Sequence, residues 1–300
     1  MLSESDFIPA IDLHSDYLSC RKDCVTSPEI LKSSPVRAQF FAIFLPPEKK
    51  TKPFLFKELD RFRGLLKDHG FIHGKTPEII INEFSENNVI AIPCVEDAEI
   101  LDIPGNRDWA VSLGVRYVTI VHNHSNRYAG SSKDDGGGLT LEGRKLIKWL
   151  EGRRILPDVS HASEDTFKDI LSITKGPVIA SHSCVYSLNP HHRNLKDYQI
   201  KEIAGTGGVI GVNFYPFFLS GNSTCSIEKL VEHIKYMVDI AGVDYVALGS
   251  DFDGISSTPE GLDTPINLIL LKERLFSAGF SRREVEKIFY RNVIRVLSKI

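Results

Sequence analysis

The sequence has no long apolar run, little cysteine and no excess of charge of either sign. Its longest apolar stretches, residues 40–45 and 209–214, are far shorter than the ~18 residues that a membrane-spanning helix needs. Its 36 basic and 39 acidic residues give a net charge of −3, so no basic surface for nucleic acid is expected. With 42% apolar residues among 300, the chain can bury a sizeable core. We therefore exclude disorder and expect neither a membrane nor a nucleic acid as partner.

Cysteine is scarce and scattered, at positions Cys20, Cys24, Cys94, Cys184 and Cys225. An odd number at irregular spacing argues against a disulfide framework, and we expect free thiols in a reducing compartment. Cys20 and Cys24 are four residues apart, which is not the CxxC spacing of a metal knuckle. Residues 1–6 contain two acids and no basic segment, which is not typical of a secretory signal. The predicted location is the cytoplasm.

Short apolar runs alternate with longer amphipathic segments along the whole chain. Eight such runs are present, at residues 7–14, 36–45, 89–96, 116–122, 155–161, 177–183, 209–215 and 245–251. Most are continuously apolar, as are strands of a parallel sheet that is covered on both faces. Eight strands alternating with helices predict an α/β fold, a (β/α)8 TIM barrel, with a doubly wound sheet as the alternative. No linker interrupts the chain, so residues 1–300 are predicted to form a single domain.

Several of the segments between these runs carry the marks of a helix start. Thr76, Ser163 and Ser281 stand where an N-cap is expected, and an acidic residue follows each of them within the first turn. Residues 54–69 place their apolar side chains on one helical face. The glycine-rich residues 130–138 are predicted to be a solvated connector, with a mobile loop over a site as the alternative.

Six of the eight apolar runs end in residues that can bind a metal, namely His14 and Asp16, Glu96, His122, His161, His182 and Asp251. In a barrel the carboxyl ends of all strands meet at one face, where active sites are built, so these distant residues would converge. A lone histidine beside a strand is more often a structural residue. We interpret His69 and His73 as surface or loop residues for that reason. Coincidence at six strand ends is a much poorer explanation.

The residue types at these strand ends favour a catalytic metal site. His14 and Asp16 are two residues apart on a strand, so both side chains point to one face and can hold one ion. Imidazole and carboxylate ligands without thiolates suit Zn²⁺ or a similar metal with open coordination positions. Five ligands suggest two ions that share Glu96. The pair on the first strand would complete one site, and His161 with His182 would complete the other.

The predicted strand ends also carry motifs in a specific order. They lie at residues 12–16 (Asp-Leu-His-Ser-Asp), 95–96 (Val-Glu), 158–163 (Asp-Val-Ser-His-Ala-Ser), 177–183 (Pro-Val-Ile-Ala-Ser-His-Ser), 192–194 (His-Arg-Asn) and 249–254 (Gly-Ser-Asp-Phe-Asp-Gly). In these motifs the sequence resembles the membrane (renal) dipeptidase family of the amidohydrolase superfamily, along nearly the whole chain. It departs from the family pattern at Asp97, where glycine is usual, and at Val121, where threonine is usual. Asp97 is expected to add charge and bulk beside the metals.

The resemblance implies a zinc-dependent dipeptidase. Two zinc ions would share a water and lower its pKa, and the resulting hydroxide would attack the peptide carbonyl. His122 would donate a hydrogen bond to the oxyanion, and Asp251 would hold the substrate's amino group and pass a proton to the leaving nitrogen. Arg193 would bind the terminal carboxylate and so restrict the substrate to dipeptides. Asn213 and Tyr215 are candidates for the pocket wall. A homodimer is the candidate assembly.

Three other functions stay open at this point. The first is another binuclear amidohydrolase, such as an amidase, a deacetylase or a phosphoesterase. The second is a metal-dependent nuclease, which the balanced charge disfavours. The third is a homologue that binds peptides or metal without catalysis, which the complete set of predicted ligands disfavours. Asp253 is interpreted as a turn residue that bonds the backbone beside Gly254.

Overall fold

The computed structural model describes residues 7–20, 22–85, 88–103, 107–134 and 136–300. Residues 1–6, on which the prediction about a secretory signal rests, lie outside the described residues. The strands of the described residues are β1 (Ala10–Ser15), β2 (Val36–Phe44), β3 (Ile72–His73), β4 (Ile90–Glu96), β5 (Tyr117–Thr119), β6 (Leu156–Asp158), β7 (Ile179–Ser183), β8 (Val209–Val212) and β9 (Val246–Leu248).

Eight of these strands close a parallel barrel. Going around the ring, β1 is followed by β2, β4, β5, β6, β7, β8 and β9, and β9 pairs with β1. Each barrel strand overlaps one of the eight predicted runs, so the predicted (β/α)8 barrel is confirmed. The two-residue strand β3 pairs with the start of β4 and was not predicted. His73 lies in β3, half-buried, with its Nε2 2.8 Å from the carbonyl oxygen of Leu113, so its interpretation as a surface or loop residue was wrong.

The helices cover the outside of the barrel and the end at which its strands begin. They are α1 (Pro28–Ser33), α2 (Lys52–Lys67), α3 (Pro77–Glu83), α4 (Asp108–Leu113), α5 (Leu141–Glu151), α6 (Glu164–Ile173), α7 (Asp197–Gly205), α8 (Pro216–Ser220), α9 (Ile227–Ala241), α10 (Leu268–Ser277), α11 (Arg282–Glu286) and α12 (Asn292–Leu297). The hydroxyls of Thr76, Ser163 and Ser281 accept the backbone N–H that an N-cap accepts, at the starts of α3, α6 and α11.

Side chains alternate along the strands between two apolar layers. Leu13, Phe40, Ile92 and Tyr117 point into the barrel and are buried there. The alternate residues, such as Phe41, pack outward against the helices. Because both faces of the sheet are covered, the strands are apolar at nearly every position, which explains the continuous runs in the sequence.

The glycine-rich segment at residues 130–138 is anchored in its described part. The hydroxyl of Thr166 donates a hydrogen bond of 2.9 Å to the carbonyl of Gly130. The hydroxyl of Ser163 donates one of 2.7 Å to the carbonyl of Gly137. Residue 135 lies outside the described residues. Both partners belong to the start of α6, so the loop is anchored at Gly130 and Gly137. Lys133, Asp134 and Gly137 are exposed, which agrees with the predicted solvated connector.

Cys20 and Cys24 form a disulfide, and the expectation of free thiols was wrong for this pair. The carbonyl of Asp16 accepts the backbone N–H groups of Ser19 and Cys20, and this turn reverses the chain directly after β1. The two cysteine Cα atoms are 6.0 Å apart, within disulfide range, a proximity that spacing alone does not reveal. Cys94, Cys184 and Cys225 are free and buried, as predicted. In the part of the chain that the structure describes, no helix has the length and apolar character needed to span a bilayer.

Candidate metal centre

The predicted ligands converge at the carboxyl ends of the barrel strands. His14 lies on β1, Glu96 is the last residue of β4, and His182 lies on β7. His161 and Asp251 each follow their strand by three residues, and both have a positive φ, 68° and 64°, which turns the chain back over the barrel mouth. Asp16 and His122 complete the group, and the side chains of all seven face one cavity or its floor.

Glu96 stands between two sets of ligand atoms. Its Oε2 is 3.7 Å from His14 Nε2, which is itself 3.8 Å from Asp16 Oδ2. Its Oε1 is 3.2 Å from His161 Nε2 and 3.6 Å from His182 Nε2. Each carboxylate oxygen thus faces one of the two predicted groups, which is the arrangement a bridging ligand requires.

All three candidate ligand histidines hold their Nδ1 in a hydrogen bond, and this turns their Nε2 inward. His14 Nδ1 is 2.6 Å from the hydroxyl of Tyr117, which donates its own proton to the carbonyl of Leu13. That hydroxyl therefore accepts from the ring, so His14 carries a proton on Nδ1. His161 Nδ1 is 3.2 Å from Asn123 Oδ1, an acceptor. Each ring is fixed in the orientation that second partners give to metal-binding histidines.

His182 is held in the same way by a longer chain of groups. Its Nδ1 is 2.8 Å from the hydroxyl of Ser181, which donates its proton to Asp158 Oδ2 over 2.6 Å. The Nε2 atoms of His161 and His182 are 3.0 Å apart, and with both Nδ1 atoms protonated they oppose lone pair to lone pair. His14 Nε2 and Asp16 Oδ1 are buried without a hydrogen-bond partner among the described residues. These features fit cations at both positions.

Negative charge is crowded at the centre. Burial raises the pKa of Asp251 to about 7, and the carboxylates of Asp16 and Glu96 add to this rise. Burial and Glu96 also raise the pKa of Asp16. Burial opposes a charge on His14, but Glu96 and Asp16 outweigh it and raise the pKa of this ring well above its usual range. Three carboxylates that destabilise one another in a buried site are stabilised by cations, which would take the place of the proton on His14.

Burial lowers the pKa of the other two ligand histidines well below its usual range. The cation of Arg193 adds to this effect at both His161 and His182. The two rings are therefore neutral, which is the protonation state that a metal ligand needs.

Asp251 is oriented by Asn213, and the backbone at Gly254 closely approaches the neighbouring carboxylate of Asp16. Asn213 Nδ2 donates a hydrogen bond of 2.8 Å to Asp251 Oδ2, and Asp251 Oδ1 is 3.9 Å from His14 Nε2. A Cβ on Gly254 would overlap the carboxylate of Asp16, so this position needs glycine. Asn213 was predicted as a candidate wall residue, and its contact shows that it positions Asp251 instead. Tyr215 lines the cavity.

Asp253 bonds the backbone, but not the turn beside it. Its carboxylate accepts the backbone N–H of Val25 over 2.6 Å and that of Thr26 over 3.1 Å. It thereby fastens the segment after the Cys20–Cys24 disulfide to the loop that carries Asp251. Asp253 lies in the predicted turn, with a φ of 67°, and it bonds backbone as predicted, but the backbone it bonds is far away in sequence and not beside Gly254.

Arg193 projects a buried cation into the same cavity. It is only 5% exposed, its Nη2 donates to the carbonyl of His182 over 3.2 Å, and its carbon Cζ lies 5.4 Å from the ring centre of Phe218. Its Nε and Nη1 are buried without a hydrogen-bond partner in the described part of the chain. Two unsatisfied donors on one planar guanidinium match a carboxylate. The cavity they enter has a volume of about 250 Å³.

His122 stands at the rim of the ligand group. Its ring centre is 4.6 Å from that of Phe44 and 4.6 Å from that of His161. One of its nitrogens lies within 4.8 Å of ligand atoms of Glu96 and His161. Packing on both sides holds the ring at the cavity wall, within reach of a molecule bound there.

Asp97 does not turn its charge toward the ligands. Its Oδ2 is 2.6 Å from Lys50 Nζ, its Oδ1 accepts 2.8 Å from Asn126 Nδ2, and its φ is 75°. A positive φ is one that glycine adopts without strain. The expected extra charge beside the metals is therefore neutralised by Lys50. The carboxylate ties the ends of β2 and β4 to the loop after β5.

Sequence reasoning missed the residues that orient the ligands. Ser181 and Asp158 were within quoted motifs, and their hydroxyl and carboxylate next to histidines were the available signal. Tyr117 and Asn123 carried no such signal, because their partners His14 and His161 lie on other strands.

The chain is similar to known proteins along nearly its whole length. A model of the membrane dipeptidase family (peptidase family M19) matches residues 7–300. An uncharacterised dipeptidase of Schizosaccharomyces pombe is 30% identical over 330 residues, which cover 99% of this chain and 75% of that protein. The crystal structure of dipeptidase AC, a metallopeptidase, is similar with a TM-score of 0.88 at 25% identity, over 98% of both chains.

A third relative shares the same architecture. The metallopeptidase of Rhodobacter sphaeroides was solved with a phosphinate mimic of the dipeptide L-Ala-D-Ala. It has a TM-score of 0.89 at 24% identity, over 98% of this chain and 99% of that chain. At this identity the likeness concerns the fold.

Proposed function

The chain belongs to the membrane dipeptidase family (peptidase family M19) and is a metal-dependent dipeptidase, and on that premise we propose that it cleaves free dipeptides with two zinc ions. The proposed ligands are His14 and Asp16 for one ion and His161 and His182 for the other, with Glu96 shared. The observation that carries the proposal is the position of Glu96, whose two oxygens face the two groups at 3.2–3.7 Å.

The ligand chemistry supports zinc. The five side chains offer imidazole nitrogens and carboxylate oxygens, and no thiolate is among them, which suits Zn²⁺ in a catalytic site with open positions. The inward lone pairs of His161 and His182 supply two nitrogen ligands on one side. When bound, the ions would supply a nucleophilic water at neutral pH and polarise the peptide carbonyl.

We assign the remaining steps to three residues of the cavity wall, namely His122, Asp251 and Arg193. His122 would donate a hydrogen bond to the carbonyl oxygen as charge develops on it, a contribution that can reach about 3 kcal/mol. Asp251 would hold the free amino group of the substrate and carry a proton to the leaving nitrogen. Its hydrogen bond from Asn213 keeps the Oδ1 atom facing His14 and the cavity.

Arg193 would select substrates by length. The carboxylate of a dipeptide lies one residue beyond the scissile bond, where it would pair with the guanidinium of this side chain, whose Nε and Nη1 have no hydrogen-bond partner among the described residues. A longer peptide, or a dipeptide amide, brings a neutral amide to the same place. The buried cation then stays unpaired, which costs on the order of 2–5 kcal/mol.

The experiment compares a dipeptide with its C-terminal amide on zinc-loaded protein. We expect the dipeptide to be cleaved at least about 30-fold better, the lower end of that energy range. Arg193→Met should lower kcat/KM for the dipeptide and leave the amide nearly unaffected, with the same metal content. Equal cleavage of both compounds by the unmodified protein would contradict the role of Arg193 and favour a general amidase.

Two further properties stay predictions. The cytoplasmic location was argued partly from unpaired cysteines, and the Cys20–Cys24 disulfide removes that part of the argument. Cell fractionation with an antibody to the chain checks it. The candidate homodimer is checked by the mass of the protein in solution, measured by light scattering.

A further inference from the structure

A second cavity opens beside the metal centre and has no part in the steps above. Its volume is about 360 Å³, and it shares two wall residues, His161 and Arg193, with the cavity that holds the ligands. The proposed function uses only the backbone groups of a dipeptide: its amino end, its peptide bond and its carboxylate. Nothing in it recognises a side chain.

Arg193 stands at the junction of the two cavities. A carboxylate paired with its free donors brings the α-carbon of the C-terminal residue to this junction. The side chain on that carbon can then enter the second cavity while the peptide bond stays at the metal ligands. The second cavity is thus placed to receive one particular side chain of the substrate.

The walls of this cavity offer hydrogen-bond donors. His191 Nδ1 accepts the backbone N–H of Arg193 over 3.1 Å, so its ring proton is on Nε2, which is a donor. The hydroxyl of Ser183 lines the cavity, fully buried and without a hydrogen-bond partner among the described residues. Asn194 contributes one unpartnered acceptor, its Oδ1.

The walls of this cavity carry more positive than negative charge, with Lys196 and Arg193 against Glu164. Lys196 Nζ is 2.5 Å from Glu164 Oε2, and Lys168 Nζ is 3.2 Å from the other oxygen, Oε1, of the same carboxylate. One acid is therefore shared by two lysines, and Lys196 and Glu164 both line the cavity whereas Lys168 does not. An anionic side chain would find an ammonium group with part of its charge unmatched, and a cationic one would meet like charge.

We propose, on the premise that the chain is a dipeptidase, that this second cavity binds the side chain of the C-terminal residue and prefers an acidic side chain to a basic one. Lys196 is the residue that sets this preference. Glu164 limits it, because it already neutralises part of the lysine's charge.

The test measures kcat/KM for Ala-Glu, Ala-Gln, Ala-Lys and Ala-Ala, each in its L,L and L,D forms, on zinc-loaded protein. We expect Ala-Glu to exceed Ala-Lys by about fivefold or more, since one partly exposed charge pair supplies up to about that factor on each side. Ala-Gln has nearly the shape of Ala-Glu without the charge, and we expect it to lie between the two.

Two variants separate the cavity's charge from the general charge of the region. Lys196→Met leaves Glu164 as the dominant charge on the wall, and we expect the ratio of Ala-Glu to Ala-Lys to fall by about fivefold or to reverse. Lys168→Met leaves Glu164 to Lys196 alone, so the ratio should fall here too, but by less than in Lys196→Met, because the ammonium group of Lys196 stays on the cavity wall. A merely structural role of Lys196 would lower both substrates equally and leave the ratio unchanged.

The outcomes distinguish this inference from the proposed function. If no dipeptide, Ala-Ala included, is cleaved by the metal-loaded protein, the proposed function itself fails. If Ala-Ala is cleaved but Ala-Glu and Ala-Lys are equal, or Ala-Lys is better, the second cavity is not an acidic subsite and the dipeptidase stands. An unchanged ratio in Lys196→Met overturns the assignment of that residue.

Discussion

The two ends of the barrel solve the burial of polar groups in opposite ways. At the amino end α12 closes the barrel, Val293, Val296 and Leu297 are buried, and Asn292 Nδ2 donates to the carbonyls of Val243 and Val246 over 2.7 and 2.8 Å. At the carboxyl end, by contrast, buried polar atoms of His14, Asp16 and Arg193 have no hydrogen-bond partner among the described residues.

This difference separates the residues that stabilise the fold from those that serve metal binding and activity. The amino end is mainly apolar and lowers the free energy of the folded state, although one buried atom of α12, Arg295 Nε, has no hydrogen-bond partner among the described residues. Buried groups without partners at the carboxyl end destabilise the fold. A ligand that binds there satisfies these groups and offsets the destabilisation. Changes at the carboxyl end should therefore alter activity and metal content, and changes at the amino end should alter stability alone.

The largest expected effect is the loss of activity in Glu96→Gln. The amide cannot supply two anionic oxygens to the two groups of ligands, so kcat should fall by about a thousandfold or more. Dipeptide hydrolysis and the metal content measure the loss, and circular dichroism checks that the barrel persists. Glu99→Gln is the matched control, because this nearby acid pairs with Lys50 and lies outside the ligand groups. Near-normal turnover in Glu96→Gln would remove this residue from the site.

At the opposite end, Leu297→Ala should act on stability. This side chain is 1% exposed and packs against the inward residues of the barrel, so its truncation should lower the free energy of unfolding by about 3 kcal/mol. Urea denaturation measures this, and kcat/KM below the transition should stay within about twofold of the unmodified protein. A large fall in activity without a change in stability would show that the two ends are not separable.

The smallest expected effect is that of a substitution at Asp97. This residue directly follows Glu96, but its carboxylate contacts Lys50 and Asn126. Asp97→Asn keeps the side chain's size and removes its charge, leaving Lys50 to Glu99 alone. We expect a loss of about 1 kcal/mol in stability and little change in metal content. Glu99→Gln should cost less, since this partner of Lys50 is more exposed than Asp97. A marked change in metal affinity in Asp97→Asn would mean that its charge does reach the ligands.

The same contrast explains what the sequence could predict. The barrel and the convergence of the candidate ligands could be predicted because apolar runs mark buried strands, and charged or imidazole side chains at their ends are costly unless they have a function. Glu96, His161 and His182 stood out for that reason.

Contacts between segments that are distant in sequence could not be predicted from it. The bond from Tyr117 to His14 joins two strands across the barrel interior, and Asp253 holds Val25 from 228 positions away. The direction of the Asp97 side chain depends on a positive φ and on Lys50, neither of which a local pattern encodes. The Cys20–Cys24 pairing depends on a Cα separation of 6.0 Å, which the spacing of the two residues does not encode.

The two proposed ions share Glu96, and a titration of metal-free protein with Zn²⁺ shows whether the chain binds such a pair. We predict that binding saturates at two ions per chain, that activity follows the second ion, and that Glu96→Gln no longer holds both. Full activity with a single bound ion, or saturation at one ion in the unmodified protein, would contradict it.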